Sequence, residues 1–196
     1  MKNNFKFNPQ TLIVISFIIL ASLSRFIPHI HNFSPIGAIS LFGAAFFKSK
    51  WKAFLVPISA TWISDLFLNN IIYSEYHSGF TWFYEGSHWQ FFSYALIILL
   101  GLSLYKNNIN LTKLGFGAFG STLIFFLVSN FGVWFSGVIY TKNFAGLVNC
   151  YVAGIPFLKG TALGNLFYVP ILFGSYYLME IRFPSLRKTN LHLTQA

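Results

Sequence analysis

SRFIPHIHNFSPIGAISLFGAAFF, residues 24–47, poses the question on which the fold turns. An arginine, two histidines and two prolines separate two apolar runs, and the second run is short. From Ser34 to Phe47 only fourteen residues precede the basic KSKWK at 48–52. At ~1.5 Å per residue such a helix covers ~21 Å, less than a ~30 Å hydrocarbon core. Ser34-Pro35 fits an N-cap followed by proline at the first helical position. The helix is therefore expected to begin below the membrane surface, with the polar hinge dipping in to meet it. Irregular backbone at that depth survives only where it is buried in protein or lines a cavity. The helix start also brings partial positive charge and free N–H groups. The hinge is expected to line a pocket.

Composition sets the surrounding solvent. The chain has 196 residues, of which 55% are hydrophobic, 20% aromatic and 9% charged. Soluble domains carry roughly 25% charged residues, so this chain cannot cover a water-facing surface. Its mean hydropathy is +0.61. The reading is an all-α, polytopic membrane protein in a single domain over 1–196. Six spans are expected at about 11–27, 34–47, 51–68, 89–105, 114–140 and 161–180. The segment 145–160 carries Gly154 and Pro156 and reads as broken, interfacial or re-entrant. The run from Thr11 to Leu23 follows Lys2 and Lys6 and has the outline of a signal peptide. The stretch ASLSRF at 21–26 makes a weak cleavage site, so a retained first helix is favoured.

The net charge of +9 raises the question of nucleic acid. The distribution of the basic residues answers it. With the N-terminus in the cytoplasm, Lys2, Lys6, Lys48, Lys50, Lys52, Lys106, Lys113, Arg182, Arg187 and Lys188 fall inside. Only Arg25, Lys142 and Lys159 fall outside, which accounts for all thirteen basic residues. The charge is then topological and meets anionic lipid, with no nucleic-acid partner. A bacterial cytoplasmic (inner) membrane location with both termini cytoplasmic is expected.

Depth brings the polar residues together. Arg25 lies ~21 Å up the first helix from Thr11, and Asp65 ~20 Å up the third from Lys52. Asn130 lies ~24 Å up the fifth from Leu114. Asn165 stands near the outer start of the sixth, so all four fall in the outer third. Intramembrane charge is costly and marks function by default. Asp65 is the only aspartate, and Arg25 is its natural partner. Two alternatives stay open: a pair that only holds helices together, and a pair that belongs to a pocket. Trp134 follows Asn130 by four residues, on the same helical face, where it can stack on a ring.

Other signals are weaker. His29 and His31 form H-x-H, an incomplete metal set even with Cys150, so no metal and no cofactor is called for. The loop 69–88 holds six aromatics and no Lys or Arg. It fits an aromatic belt, and it also fits a lid over a flat ligand. Small residues cluster at 37–45, at 115–121 and at Gly160-x-x-x-Gly164, spacings that allow close helix approach. No G-x-S-x-G, H-E-x-x-H or phosphate loop occurs, so an enzyme is not expected.

Four blocks carry a resemblance: RFIPHIHNFSPIGAISLFGAAFF at 25–47, ISDLFL at 63–68, SNFGVWFSG at 129–137, and YTKNFAGLVNCYVAGIPFLKGTALGNLFY at 140–168. They resemble a family of uncharacterised bacterial membrane proteins labelled as transport proteins. That family is distantly similar to the substrate-binding S subunits of energy-coupling-factor (ECF) vitamin transporters. The resemblance implies a six-helix protein that captures a vitamin or related micronutrient at the outer face. It also implies docking on a transmembrane coupling subunit with ATPases. The first helix here lacks the alanine-x-x-x-alanine face that S subunits often carry, so a solitary transporter stays open. The expected substrate-binding residues are Arg25, His29, His31, Asp65, Asn130, Trp134 and Asn165. The alternatives are a structural or assembly membrane protein, and a membrane enzyme.

Overall fold

The computed structural model describes residues 9–186. Lys2, Lys6, Arg187 and Lys188 of the charge count lie outside the described residues. The architecture is all-α: α1 (Pro9–Leu23), α2 (Ile36–Phe46), α3 (Lys50–Phe67), α4 (Ser87–Leu104), α5 (Leu111–Ser136) and α6 (Phe144–Arg182). Five of these, all but α2, are long and apolar enough to cross a membrane.

The short helix is the centre of the bundle. Ten of the eleven residues of α2 are buried, and α2 packs on each of the other five helices. A helix that is apolar all round belongs in a core. Its small residues allow this crowding. A Cβ on Gly43 would stand 2.6 Å from Pro57 of α3, and Gly101 of α4 faces Ala44 equally closely. Between these small positions, Phe42 and Phe46 meet Phe173 and Tyr176 of α6. Phe17 of α1 closes the same cluster against Phe42. The small-residue stripes thus meet neighbours within the chain.

The hinge is seated on α6. α2 starts one residue later than expected: Pro35, at φ −74°, is itself the N-cap and Ile36 the first helical residue, while Ser34 Oγ makes only a long contact of 3.4 Å with the Ile36 N–H. Asn32 adopts φ 61°, the left-handed region that Asn tolerates better than most residues. The backbone then lies directly on Gly160 and Gly164, where added Cβ atoms would meet His31 O and the Ser34 backbone.

Two expectations need correction. The segment 145–160 is not broken: α6 runs without interruption through Gly154, Pro156 and Pro170. Glycine and proline cost about 1 and 3 kcal/mol in a helix, but packing on α5 overrides them. The Cys150 thiol donates to Asn130 O at 3.2 Å. The Tyr151 hydroxyl donates to Leu127 O at 2.8 Å, and Gly154 accommodates the Asn130 side chain. With 39 residues, α6 is ~58 Å long. The fifth helix ends at Ser136, earlier than 140, because Gly137 takes φ 69° and its N–H caps Trp134 O. Its start is set by Asn110, whose Oδ1 accepts the Lys113 N–H at 2.9 Å.

Candidate binding cavity

At the hinge end of the bundle, α3 loses its α-helical register. It continues as a π-helical turn over Leu68–Ile72, a local geometry frequent at functional sites. The loop after it folds back. The Asn70 amide grips Thr81 at both ends of its backbone, accepting the Thr81 N–H at 2.6 Å and donating to Thr81 O at 2.9 Å. Trp62 of α3 stacks on Trp82 and donates to its carbonyl at 3.2 Å. The loop is therefore strapped onto α3. Tyr84 at its end is half-buried. Burial pushes its phenol above the ordinary range, and the nearby Asp65 carboxylate acts in the same direction.

Under the hinge lies a cavity of about 180 Å³. Its wall is built from α2, α4, α5 and α6 and from the turns that follow α1 and α3. Arg25 comes from the 3₁₀ turn after α1, Gly37 from the start of α2, Leu68 from the π-helical turn after α3, and Tyr73 from the residue that follows that turn. Gln90 and Tyr94 come from α4, Ser121 and Phe125 from α5, and Thr161 and Asn165 from α6. Its rim holds His29 and Asn32 of the hinge, both exposed. A second chamber of about 390 Å³ shares Asn32, Gln90 and Phe125 with it and extends between α5 and α6.

Three of the seven expected site residues line the cavity under the hinge: Arg25, His29 and Asn165. Asp65 stands one layer behind. The Arg25 guanidinium donates to its Oδ1 at 2.6 Å, to Ser64 Oγ and to Thr61 O at 3.3 Å. The pairing expected from depth is present, and most of the arginine fork points at α3. Asn130 lines the second chamber, donating to Phe126 O at 2.8 Å. His31 packs edge-on against Phe157 and lines neither chamber. Trp134 turns away, packing on Phe131 and donating to Thr141 O at 3.0 Å. Its i+4 spacing from Asn130 was correct, but a helical face is wide enough to serve two neighbours.

The residues not anticipated are Gln90, Tyr94, Ser121, Phe125 and Thr161. Gln90 and Tyr94 did leave a signal: polar groups four apart in an apolar run, joined by a Tyr94 O–H bond to Gln90 Oε1 at 3.0 Å. Among the described residues no three His, Cys, Asp or Glu side chains converge into a metal site.

One wall residue is unusual. Asn165 is 2% exposed. Its Nδ2 donates to Thr122 Oγ1 at 2.9 Å, while its Oδ1 is buried without a hydrogen-bond partner. That oxygen faces Gly37, where a Cβ would collide with it. An unpaired buried carbonyl costs about 1–3 kcal/mol.

Residues 5–186 match a family described as a family of unknown function, DUF6580. The chain belongs to that family. The match spans the hinge, the cavity wall and α6 up to and beyond Arg182. No curated protein and no solved structure matches the chain.

Proposed function

We propose that the protein is a membrane transport component that captures a small organic solute at the outer face for uptake. The observation that carries this reading is the cavity under the hinge, where α4, α5, α6 and the turn after α1 bring polar side chains to one space beside the start of α2. A bundle held only by packing would fill that space, because interiors pack to crystal-like density. A short buried helix pointing its N-terminus at the space, and a carbonyl without a partner, suit a ligand site.

The resemblance to S subunits of ECF vitamin transporters supports the same reading and adds its finer part. In that reading the solute is a vitamin-like micronutrient, the hinge end faces outward, and both termini are cytoplasmic. Energy comes from a coupling subunit with ATPases, or the chain acts alone. Arg25, His29 and Asn165 form the primary contacts, and Asn130 belongs to an entry chamber. Asp65 holds Arg25 in place.

The deciding experiment is mass spectrometry of small molecules that co-purify with the detergent-solubilised protein, followed by thermal-shift measurement with each. A recurrent solute that raises the melting temperature is expected. Repeated empty preparations with no thermal shift would favour a structural or assembly role, and binding with turnover would favour an enzyme.

A further inference from the structure

The polar atoms around the cavity name a ligand chemistry; this step rests on the binding reading above. The acceptor at Asn165 is held in one orientation. The Thr122 hydroxyl donates to Ala118 O at 2.8 Å, so its oxygen is left to accept from Asn165 Nδ2. A flipped amide would set two acceptors against each other. Oδ1 is thereby held over Gly37. At the same place α2 begins, and the first turn of a helix leaves its N–H groups without intrahelical partners. Ile36 N–H has only the long contact to Ser34 Oγ at 3.4 Å. The acceptor is packed against Gly37, at the first turn of α2, and Gly37 and Asn165 both line the cavity.

Charge narrows the choice. Arg25 is the one lysine or arginine on the wall, and it is already neutralised by Asp65, with its fork committed to Thr61, Ser64 and Asp65. An anionic group placed here would meet the unpaired carbonyl of Asn165 and no uncompensated cation. A neutral ligand fits better. Size and shape narrow it again. A cavity of ~150 Å³ holds benzene, so about 180 Å³ takes one ring with small substituents. Tyr94 and Phe125 stack on one another, 1° between planes and 5.9 Å between centroids, and so give the cavity a fixed aromatic wall.

We propose that the site selects a neutral monocyclic heterocycle with a cis-amide edge, a ring N–H beside a ring carbonyl. The ring N–H donates to Asn165 Oδ1, and the carbonyl oxygen accepts from the backbone N–H groups at the start of α2. Gly37 is glycine because any side chain there would occupy the acceptor's place.

The test uses the full chain purified in detergent and calorimetric titration with three probes of one ring each. These are 2-pyridone and uracil, which carry the edge, and 2-fluoropyridine, which keeps the ring size and lacks the N–H. The expected result is binding of the first two, with 2-fluoropyridine weaker by about tenfold or more, since it lacks both the N–H and the carbonyl of the edge and the loss of even one buried hydrogen bond costs about that much. Asn165→Leu should bring the three probes within about threefold of one another. Should that variant fail to fold, the probe series on the unmodified protein decides alone. Equal binding of 2-fluoropyridine and 2-pyridone would overturn the proposal. So would a co-purifying solute that binds tightly and has no such edge, in which case the capture reading stands and only the ligand class falls. If no probe binds and no solute co-purifies, both fall together.

Discussion

At the scale of single residues, the Arg25–Asp65 pair separates stability from recognition. Both side chains are mostly buried, at 13% and 8% exposure. Removing one partner leaves the other charge stranded, at a cost of about 3–5 kcal/mol. Asp65→Ala should therefore lower the melting temperature sharply, and Arg25→Met added to it should recover much of the loss. Thermal unfolding in detergent checks both variants. Glycine positions give a second contrast. Gly160→Ala forces a methyl into the His31 carbonyl, a backbone contact that cannot rotate away, and should cost about 2 kcal/mol or more. Gly174→Ala meets nothing within 4 Å. It should be neutral or stabilising by up to ~1 kcal/mol through helix propensity. If the two alanines behave alike, the seat of the hinge on α6 is wrong. These residues also show what a sequence can yield. Arg25 and Asp65 were legible because intramembrane charge is rare and needs a partner. Gln90 and Tyr94 were passed over because uncharged polar groups are common in apolar helices.

At the scale of elements, the strapped loop between α3 and α4 makes its own prediction. Asn70→Ala removes both bonds to Thr81 and should free the loop while leaving the helices folded. Tryptophan fluorescence from Trp62 and Trp82, now stacked at 6.3 Å, should change, and protease cleavage near Gly79 should accelerate. Tyr84 adds a pH dependence with a definite sign. Its phenol is held above its ordinary value of 10.0 by burial and by Asp65. Its contribution to loop docking is fully present below pH ~10 and is lost as pH rises through the shifted value. Loop release, followed by the same fluorescence, should thus appear on the alkaline side only. A release on acidification would remove Tyr84 as the cause. The continuous α6 was not legible at this scale. Gly154 and Pro156 disfavour a helix locally, and only the contacts to Leu127 and Asn130 on α5 outweigh that.

At the scale of the whole molecule, the inside excess of basic residues predicts a topology. Cysteines introduced in loop 69–88 and at the C-terminus, in a Cys150→Ala background, should be labelled from opposite sides of the membrane; labelling of both from one side would reject the arrangement. Much of the architecture was open to a reader of the sequence. Apolar length, turn residues and a scarcity of charge are local properties, and they specify how many helices form and roughly where each one ends. The short helix after the hinge also announced itself, because ~21 Å of helix cannot cross ~30 Å of hydrocarbon. Its fate was not local. Burial on all sides of α2 depends on five neighbours that approach through Gly43, Gly101 and Gly37, and such pairings connect residues far apart in the chain. The cavity has the same origin. Asn165 and Gly37 are separated by more than a hundred residues, and neither is distinctive alone. Sequence by itself determined an all-helical chain, with helices apolar enough to cross a membrane, a polar hinge and a buried charge pair. Only the tertiary structure decided which polar groups share one wall, because side-chain direction and helix contact are set by packing and not by position along the chain.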